Sequence, residues 1–470
     1  MTASLAALSA RDLAAGLRSR RFSAREVLAD HLARIDQLNP TVNAIVSLDV
    51  EGAQAAAADA DRRCAAGEPL GPLHGLPVAY KDTHATAGLR TTYGSPLHAA
   101  TVPDRNDEIV DRIERAGAIR VGKTNVPEFA AGSHTFNSVF GTTRNPWDTN
   151  RSAGGSSGGA AAALAARMLP IADGTDMGGS LRNPASFCNV VGLRPTPGRV
   201  PEPGTALGFS PLGVGGPMAR SVDDLALLLS VVAGPHPDDP LSLSDDPGVL
   251  ATVTPAELRG VRVAWAPTLG GRVPVERQVL DVLDPAVALF SDLGAEVDHA
   301  CPDLDGADDA FRTMRAAQFD LLWSDLLAAH PEAFKDDLAW NIRQGQGLSG
   351  RDVSRAWAEI SRLHRVMNAF FDTFDVLLAP VSQLAPFDAD VLWPDHIDGT
   401  PLHTYLDWMA SCYLISATGV PALSIPAGFT PGGLPVGLQI VTRARSEARL
   451  LAVAKAFEEA TGYGQRSPGS

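Results

Sequence analysis

Two glycine-rich loops lie close together in the second quarter of the chain, and they constrain its fold more than any other feature. The first runs Gly141-Thr-Thr-Arg-Asn-Pro-Trp-Asp-Thr-Asn-Arg-Ser-Ala-Gly-Gly-Ser-Ser-Gly-Gly159 and leads straight into an alanine-rich helical stretch, Ala160 to Met168. The second runs Asp173-Gly-Thr-Asp-Met-Gly-Gly-Ser-Leu-Arg-Asn-Pro184. Glycine lets backbone approach backbone or ligand closely and reaches conformations closed to other residues. A single loop of this kind is only a turn. Two in succession, each carrying serine, mark a place built around exposed backbone N–H groups and hydroxyls.

Helix and strand patterns alternate around these loops. Ser23-Ala-Arg-Glu26 is a capping box, and it opens a helix whose Val27, Leu28, Leu32 and Ile35 share one face. Asn39-Pro40 is its expected end. A helix is expected over 51–66, a short apolar strand over Leu76 to Asp82, a helix over Asn106 to Gly117 and a buried strand over Ala118 to Val121. A long helical stretch follows near 307–372. Strands are expected at Val376 to Pro380, Pro421 to Pro426 and Leu434 to Val441, and a final helix over Ser446 to Thr461. Such alternation predicts an α/β layered fold. No repeat, linker or composition shift divides the 470 residues, so one domain is expected over 1–470. Within it, N-terminal helices would occupy about 1–66, a core 67–200, a variable region 200–420 and closing strands and helix 421–470.

At 45% hydrophobic residues the chain can bury a large core. A net charge of −15 repels phosphate backbones and anionic lipid surfaces, so neither nucleic acid nor membrane is an expected partner. Cys64, Cys188, Cys301 and Cys412 are scattered and read as buried thiols. The N-terminal segment reads as an amphipathic helix, not a signal peptide, and no apolar run is long enough to span a bilayer. A cytoplasmic location is expected.

Gly117-Ala-Ile-Arg-Val-Gly-Lys123-Thr124 matches the phosphate-loop pattern. Its setting is wrong, because a helix precedes the first glycine, Ala118 to Val121 reads as strand, and Pro127 soon follows. The match is rejected. His84 and His134 suggest a serine–histidine pairing, but no GxSxG elbow accompanies them, and both read as pocket-lining or surface histidines.

Acyl-transfer chemistry needs a nucleophile, a base and donors aimed at a developing oxyanion. Gly178 and Gly179 place small residues just before Ser180, leaving backbone N–H groups free for that last task. The ordered blocks Gly75-Leu-Pro-Val-Ala-Tyr-Lys-Asp82, Gly122-Lys-Thr-Asn125, Glu128-Phe-Ala130, Asn145-Pro-Trp147, Gly154-Gly-Ser-Ser-Gly-Gly159 and Gly174-Thr-Asp-Met-Gly-Gly-Ser-Leu-Arg182 carry a resemblance. Gly192-Leu-Arg-Pro-Thr196, Gly419-Val-Pro-Ala-Leu-Ser424 and Gly433-Leu-Pro-Val-Gly-Leu-Gln439 extend it. Together they resemble the amidase-signature family of serine hydrolases. Ser180 follows Ser156 by 24 positions and Ser156 follows Lys81 by 75, in keeping with that family.

The resemblance implies a large mixed, mostly parallel twisted sheet covered by helices on both faces. It implies Ser180 as nucleophile, Ser156 as a bridging serine held by a cis peptide, and Lys81 as base. It further implies Met177, Gly178, Gly179 and Ser180 as N–H donors to the oxyanion, an acyl-enzyme intermediate, and no metal or organic cofactor. A free lysine has a pKa of about 10.4, so Lys81 is expected to be buried and thereby neutral. Ser157, Asp176 and Arg182 are expected to support the site, with Asp176 and Arg182 bracing the loop as a pair or only capping turns.

Phe129, Phe136, Phe140, Trp393 and Trp408 are candidates to line an acyl or aryl pocket, and each serves equally as plain core. Asn183 departs from the apolar residue of many members. Arg182-Asn-Pro184, Tyr405-Leu-Asp-Trp408 and Ile415-Ser-Ala-Thr418 resemble free-standing bacterial amidases. The expected substrate is a small aryl or alkyl amide, with carbamates (urethanase activity) and esters as related acyl compounds, and the expected enzyme is a monomer or homodimer. The alternative is the A subunit of a glutamyl-tRNA amidotransferase, a glutaminase working with partner chains.

Overall fold

The computed structural model describes residues 4–469. The first three residues of the expected N-terminal helix lie outside that range. Its described part is a short turn, Leu5–Ala7, followed by helix Ala10–Arg18. The capping box at Ser23 forms as read, with both reciprocal hydrogen bonds present. Its helix does not stop at Asn39-Pro40 but runs from Ala24 to Val42. Pro40 removes one i→i−4 hydrogen bond, that to the Asp36 carbonyl, and the helix ends two residues beyond it. The chain then turns at Asn43, which is left-handed, and the Asn39 carboxamide accepts from the N–H groups of Ala44 and Ile45.

Two sheets position the site. A three-stranded sheet has the order Ile45–Leu48, Ile119–Thr124, Pro77–Lys81. An eight-stranded sheet runs Glu296–His299, Arg262–Trp265, Val376–Pro380, Pro435–Val441, Ala422–Phe429, Val191–Arg194, Val214–Ala219, Ile171–Asp176. The expected α/β layering is present and the large sheet is mixed. It is not mostly parallel, however. Only the first three strands pair in parallel, and every later neighbouring pair is antiparallel. The turn over 430–433 explains part of this, because it folds Ala422–Phe429 directly back on Pro435–Val441 with no room for a crossover helix. Asp173 links the two sheets, its carboxylate accepting the backbone N–H of Lys81 at 3.2 and 3.3 Å.

Strand Val376–Pro380 shows why helices cover both faces. Every residue in it is buried. Val376 and Leu378 enter one apolar cluster, with Phe290 and Phe457 of helices Arg277–Asp292 and Glu447–Thr461. Leu377 and Ala379 point the other way, into a cluster with Phe311, Leu363 and Leu414 of helices Ala307–Ala329, Gly350–Thr373 and Ala410–Ser416. The expected helical stretch near 307–372 is thus three helices, with Asp336–Gln346 between the long two. Among the described residues no helix is long and apolar enough to cross a membrane.

Helix Gly158–Ala165 is buried at every position. Small side chains are required there because the helix is wedged against the sheet edges. A Cβ on Gly159 would sit 2.3 Å from the Asn125 nitrogen and 2.6 Å from the Ala44 oxygen. The helix therefore presses its first turn against the three-stranded sheet and carries Ser156 and Ser157 towards Lys81.

Candidate active site

Lys81 ends strand Pro77–Lys81 and is completely buried. Its Nζ lies 2.8 Å from Ser156 Oγ, 3.0 Å from Ser157 Oγ and 2.6 Å from Thr175 Oγ1. Burial pushes the Lys81 amine down to about 7, with the charges of Asp173 and Asp176 opposing the shift. Three hydroxyls can accept all three N–H groups of the charged amine, and once burial removes its proton one of them can turn to donate. Two N–H groups can donate to Ser157 and Thr175 while the lone pair accepts the Ser156 hydroxyl. The Gly155–Ser156 peptide is cis.

Ser180 comes from the turn between strand Ile171–Asp176 and helix Arg182–Cys188. Its carbonyl accepts the Ser157 N–H at 3.1 Å, tying the two glycine-rich loops together. Ser180 is 7% exposed, against 1% for Ser156. Of the two serines Ser180 is the more open, while Thr175, half-buried, is the most open of the hydroxyls around the site. The N–H groups of Met177, Gly178 and Ser180 have no acceptor among the described residues. Gly179 differs from the expectation, because its N–H donates to Asp176 Oδ1 at 2.9 Å. This leaves three of the four expected donors free. Gly179 has φ +113°, and a Cβ there would meet Cys412 Cβ at 2.6 Å. Only glycine fits the turn.

Asp176 and Arg182 pair. Arg182 Nη2 donates to Asp176 Oδ1 at 2.9 Å and Nε to Oδ2 at 3.0 Å, both groups being fully buried. The remaining Arg182 donors reach the Cys412 carbonyl, Gln439 Oε1 and Ser416 Oγ. Burial alone would raise the Asp176 carboxyl. Arg182, then Arg194, reverse that and hold it below the usual carboxylate range. Asn183 donates to Ser133 Oγ at 3.0 Å, and Ser133 donates to the Gly155 carbonyl at 2.6 Å. Asn183 thus tethers the loop carrying the cis peptide.

His84 Nδ1 lies 2.5 Å from Asp173 Oδ2, and among the described residues no hydrogen bond joins its ring to a serine. His134 donates from Nε2 to the Ala389 carbonyl and accepts the Ser152 hydroxyl at Nδ1. Burial pushes it down to about 4, so it is a neutral structural group. Lys123 of the phosphate-loop lookalike is buried and donates to the His84 carbonyl, Thr86 Oγ1 and Thr91 Oγ1. It lies in strand Ile119–Thr124 and offers nothing to a phosphate.

A cavity of about 690 Å³ opens beside Thr175 and His84, walled by Tyr93, Phe129 and Trp323. Phe129 is therefore placed at a cavity wall. Phe136, Trp393 and Trp408 border a crevice of only about 10 Å³. Trp408 stacks on Phe187 at 6.0 Å and is core. Phe140 lines neither space and sits under the Arg90 guanidinium at 4.9 Å. Sequence reasoning missed Asp173 and Thr175. They alternate on strand Ile171–Asp176, so both face Lys81, a relation visible only once that segment is read as a strand.

The profile of the Amidase family matches residues 26–451. The chain belongs to the Amidase family. The amidase is 38% identical over 469 residues to an acylamidase of Rhodococcus erythropolis, covering 98% of this chain and 97% of that one. It is 36% identical to the A subunit of a glutamyl-tRNA(Gln) amidotransferase of Synechococcus sp. (strain CC9605), covering 94% of each. Its fold matches the crystal structure of a bacterial aryl acylamidase of the amidase-signature enzymes with a TM-score of 0.92, at 30% identity, over 98% of this chain and 99% of that one. The amidase is an amidohydrolase acting on amides.

Proposed function

We propose that the amidase cleaves linear aryl or alkyl amides through an acyl-enzyme formed on Ser180, with Ser156 as relay and Lys81 as base. The observation that carries this reading is the trio of hydroxyls around a buried Lys81 amine held near 7. Lys81 accepts the Ser156 proton as Ser156 accepts that of Ser180. The Ser180 oxygen attacks the acyl carbon, and the oxyanion is met by the free N–H groups of Met177, Gly178 and Ser180. As the carbon–nitrogen bond breaks, the relay returns its proton to the leaving nitrogen. A water then attacks the ester, giving its proton to the same relay, and the carboxylic acid and free Ser180 are regenerated. Carbamates and esters fit the same sequence of bonds. The acylamidase relative supports the amide reading.

The amidotransferase relative supports a second reading, glutaminase activity within a complex. The test is turnover of anilides, primary amides, carbamates and glutamine by the purified chain beside Ser180→Ala. Anilide or amide turnover is expected, falling by at least about 10³-fold in Ser180→Ala. Wild-type turnover in Ser180→Ala removes Ser180 as nucleophile. Turnover of glutamine alone moves the assignment to the second reading.

A further inference from the structure

One buried cation beside the oxyanion-donor turn has no counter-charge. Arg315, on helix Ala307–Ala329, is 3% exposed. Its Nε donates to Asn341 Oδ1 at 3.0 Å and its Nη2 to the Tyr405 hydroxyl at 3.0 Å. That hydroxyl in turn donates to the same Asn341 oxygen at 2.9 Å. The Phe319 ring lies 4.1 Å from the guanidinium carbon. None of these partners is anionic, and among the described residues Arg315 forms no ion pair. The comparable buried arginines do, with Arg182 and Arg194 sharing Asp176 and Arg199 holding Glu447. Burying a lone guanidinium is costly, so its charge stands available to a ligand.

The remaining nitrogen, Nη1, faces Met177 Sδ at 3.3 Å. A thioether is a weak acceptor, and an unbranched methionine side chain moves aside easily. Met177 also supplies one of the three free N–H groups of the turn. An acyl group seated at those donors therefore has Arg315 within reach of a short arm once the Met177 side chain yields.

We propose that Arg315 recognises a carboxylate on the acyl arm of the substrate, so that the preferred amides are half-amides of short dicarboxylic acids. This rests on the Ser180 chemistry above and narrows its substrate class. The guanidinium binds the carboxylate through Nη1 in place of the thioether, as charge-assisted hydrogen bonds favour.

The test compares aniline release from succinic acid mono-anilide, from its neutral methyl ester and from pentananilide. The wild-type kcat/KM is expected to favour the acid by roughly 10- to 100-fold. Arg315→Gln erases that ratio, chiefly through KM, and Arg315→Lys keeps part of it. The Lys variant carries the comparison where the Gln protein does not fold. Succinate binding to Ser180→Ala, read by calorimetry and lost in the Ser180→Ala/Arg315→Gln protein, reports on Arg315 independently of turnover. Failure of the Ser180 assignment would leave that binding intact. Three results each overturn the proposal: equal wild-type turnover of the three anilides, the same preference for the methyl ester, or a loss in Arg315→Gln that is proportionate across all three.

Discussion

At the scale of single residues, Lys81 decides when the site can work. The amine must be neutral to take a proton, and burial brings it to about 7. The neutral fraction rises with pH through that value and is then complete. For an anilide, log(kcat/KM) should climb with unit slope below about pH 7 and flatten above it. A rate profile flat from pH 5 to 9 removes Lys81 as the base. The histidines do not supply an alternative, since His134 is spent on Ser152 and Ala389, and His84 on Asp173.

At the scale of elements, the turn from strand Ile171–Asp176 into helix Arg182–Cys188 is held by one carboxylate. Asp176 accepts from Gly179 N–H, Leu181 N–H and Arg182 at once. Arg182→Met strands a buried charge whose nearest remaining cation is Arg194 at 3.6 Å. The expected loss is about 3–5 kcal/mol, read by urea unfolding, together with loss of turnover as the donor turn relaxes. A loss within about 0.5 kcal/mol, the range of a plain surface substitution, contradicts the bracing role. Because the Asp176 carboxyl is held below its ordinary 3.8, its contribution is whole above that pH and is lost as the pH falls below it. The brace was legible as a pair of candidates six residues apart. Its remaining partners, Gln439, Ser416 and the Cys412 carbonyl, were not, because they arrive from the C-terminal strands and helix.

At the scale of the whole molecule, the amidase is proposed to work as a free-standing monomer or homodimer in the cytoplasm. The chain purified alone should hydrolyse an anilide with no added protein, and tRNA should leave that rate unchanged, since a surface with a net charge of −15 repels it. A rate that appears only with partner chains would favour the amidotransferase reading.

The sequence by itself determined the local chemistry. Ser156, Ser157 and Ser180, the glycines that let backbone come close, the lysine ending a strand and the alanine-rich helix all stand in short blocks that can be read from neighbours in the chain. Only the tertiary structure decided the rest. Strand order and direction depend on pairings between distant segments, so the expected mostly parallel sheet proved largely antiparallel. Thr175 and Asp173 gained their partners only when strand Ile171–Asp176 came to lie beside Lys81. The donor set changed for a local reason instead, because the Asp176 carboxylate turns back on its own loop to take the Gly179 N–H three residues along. The environment of Arg315 is a matter of burial and counter-charge, properties that exist only after the chain has closed around it.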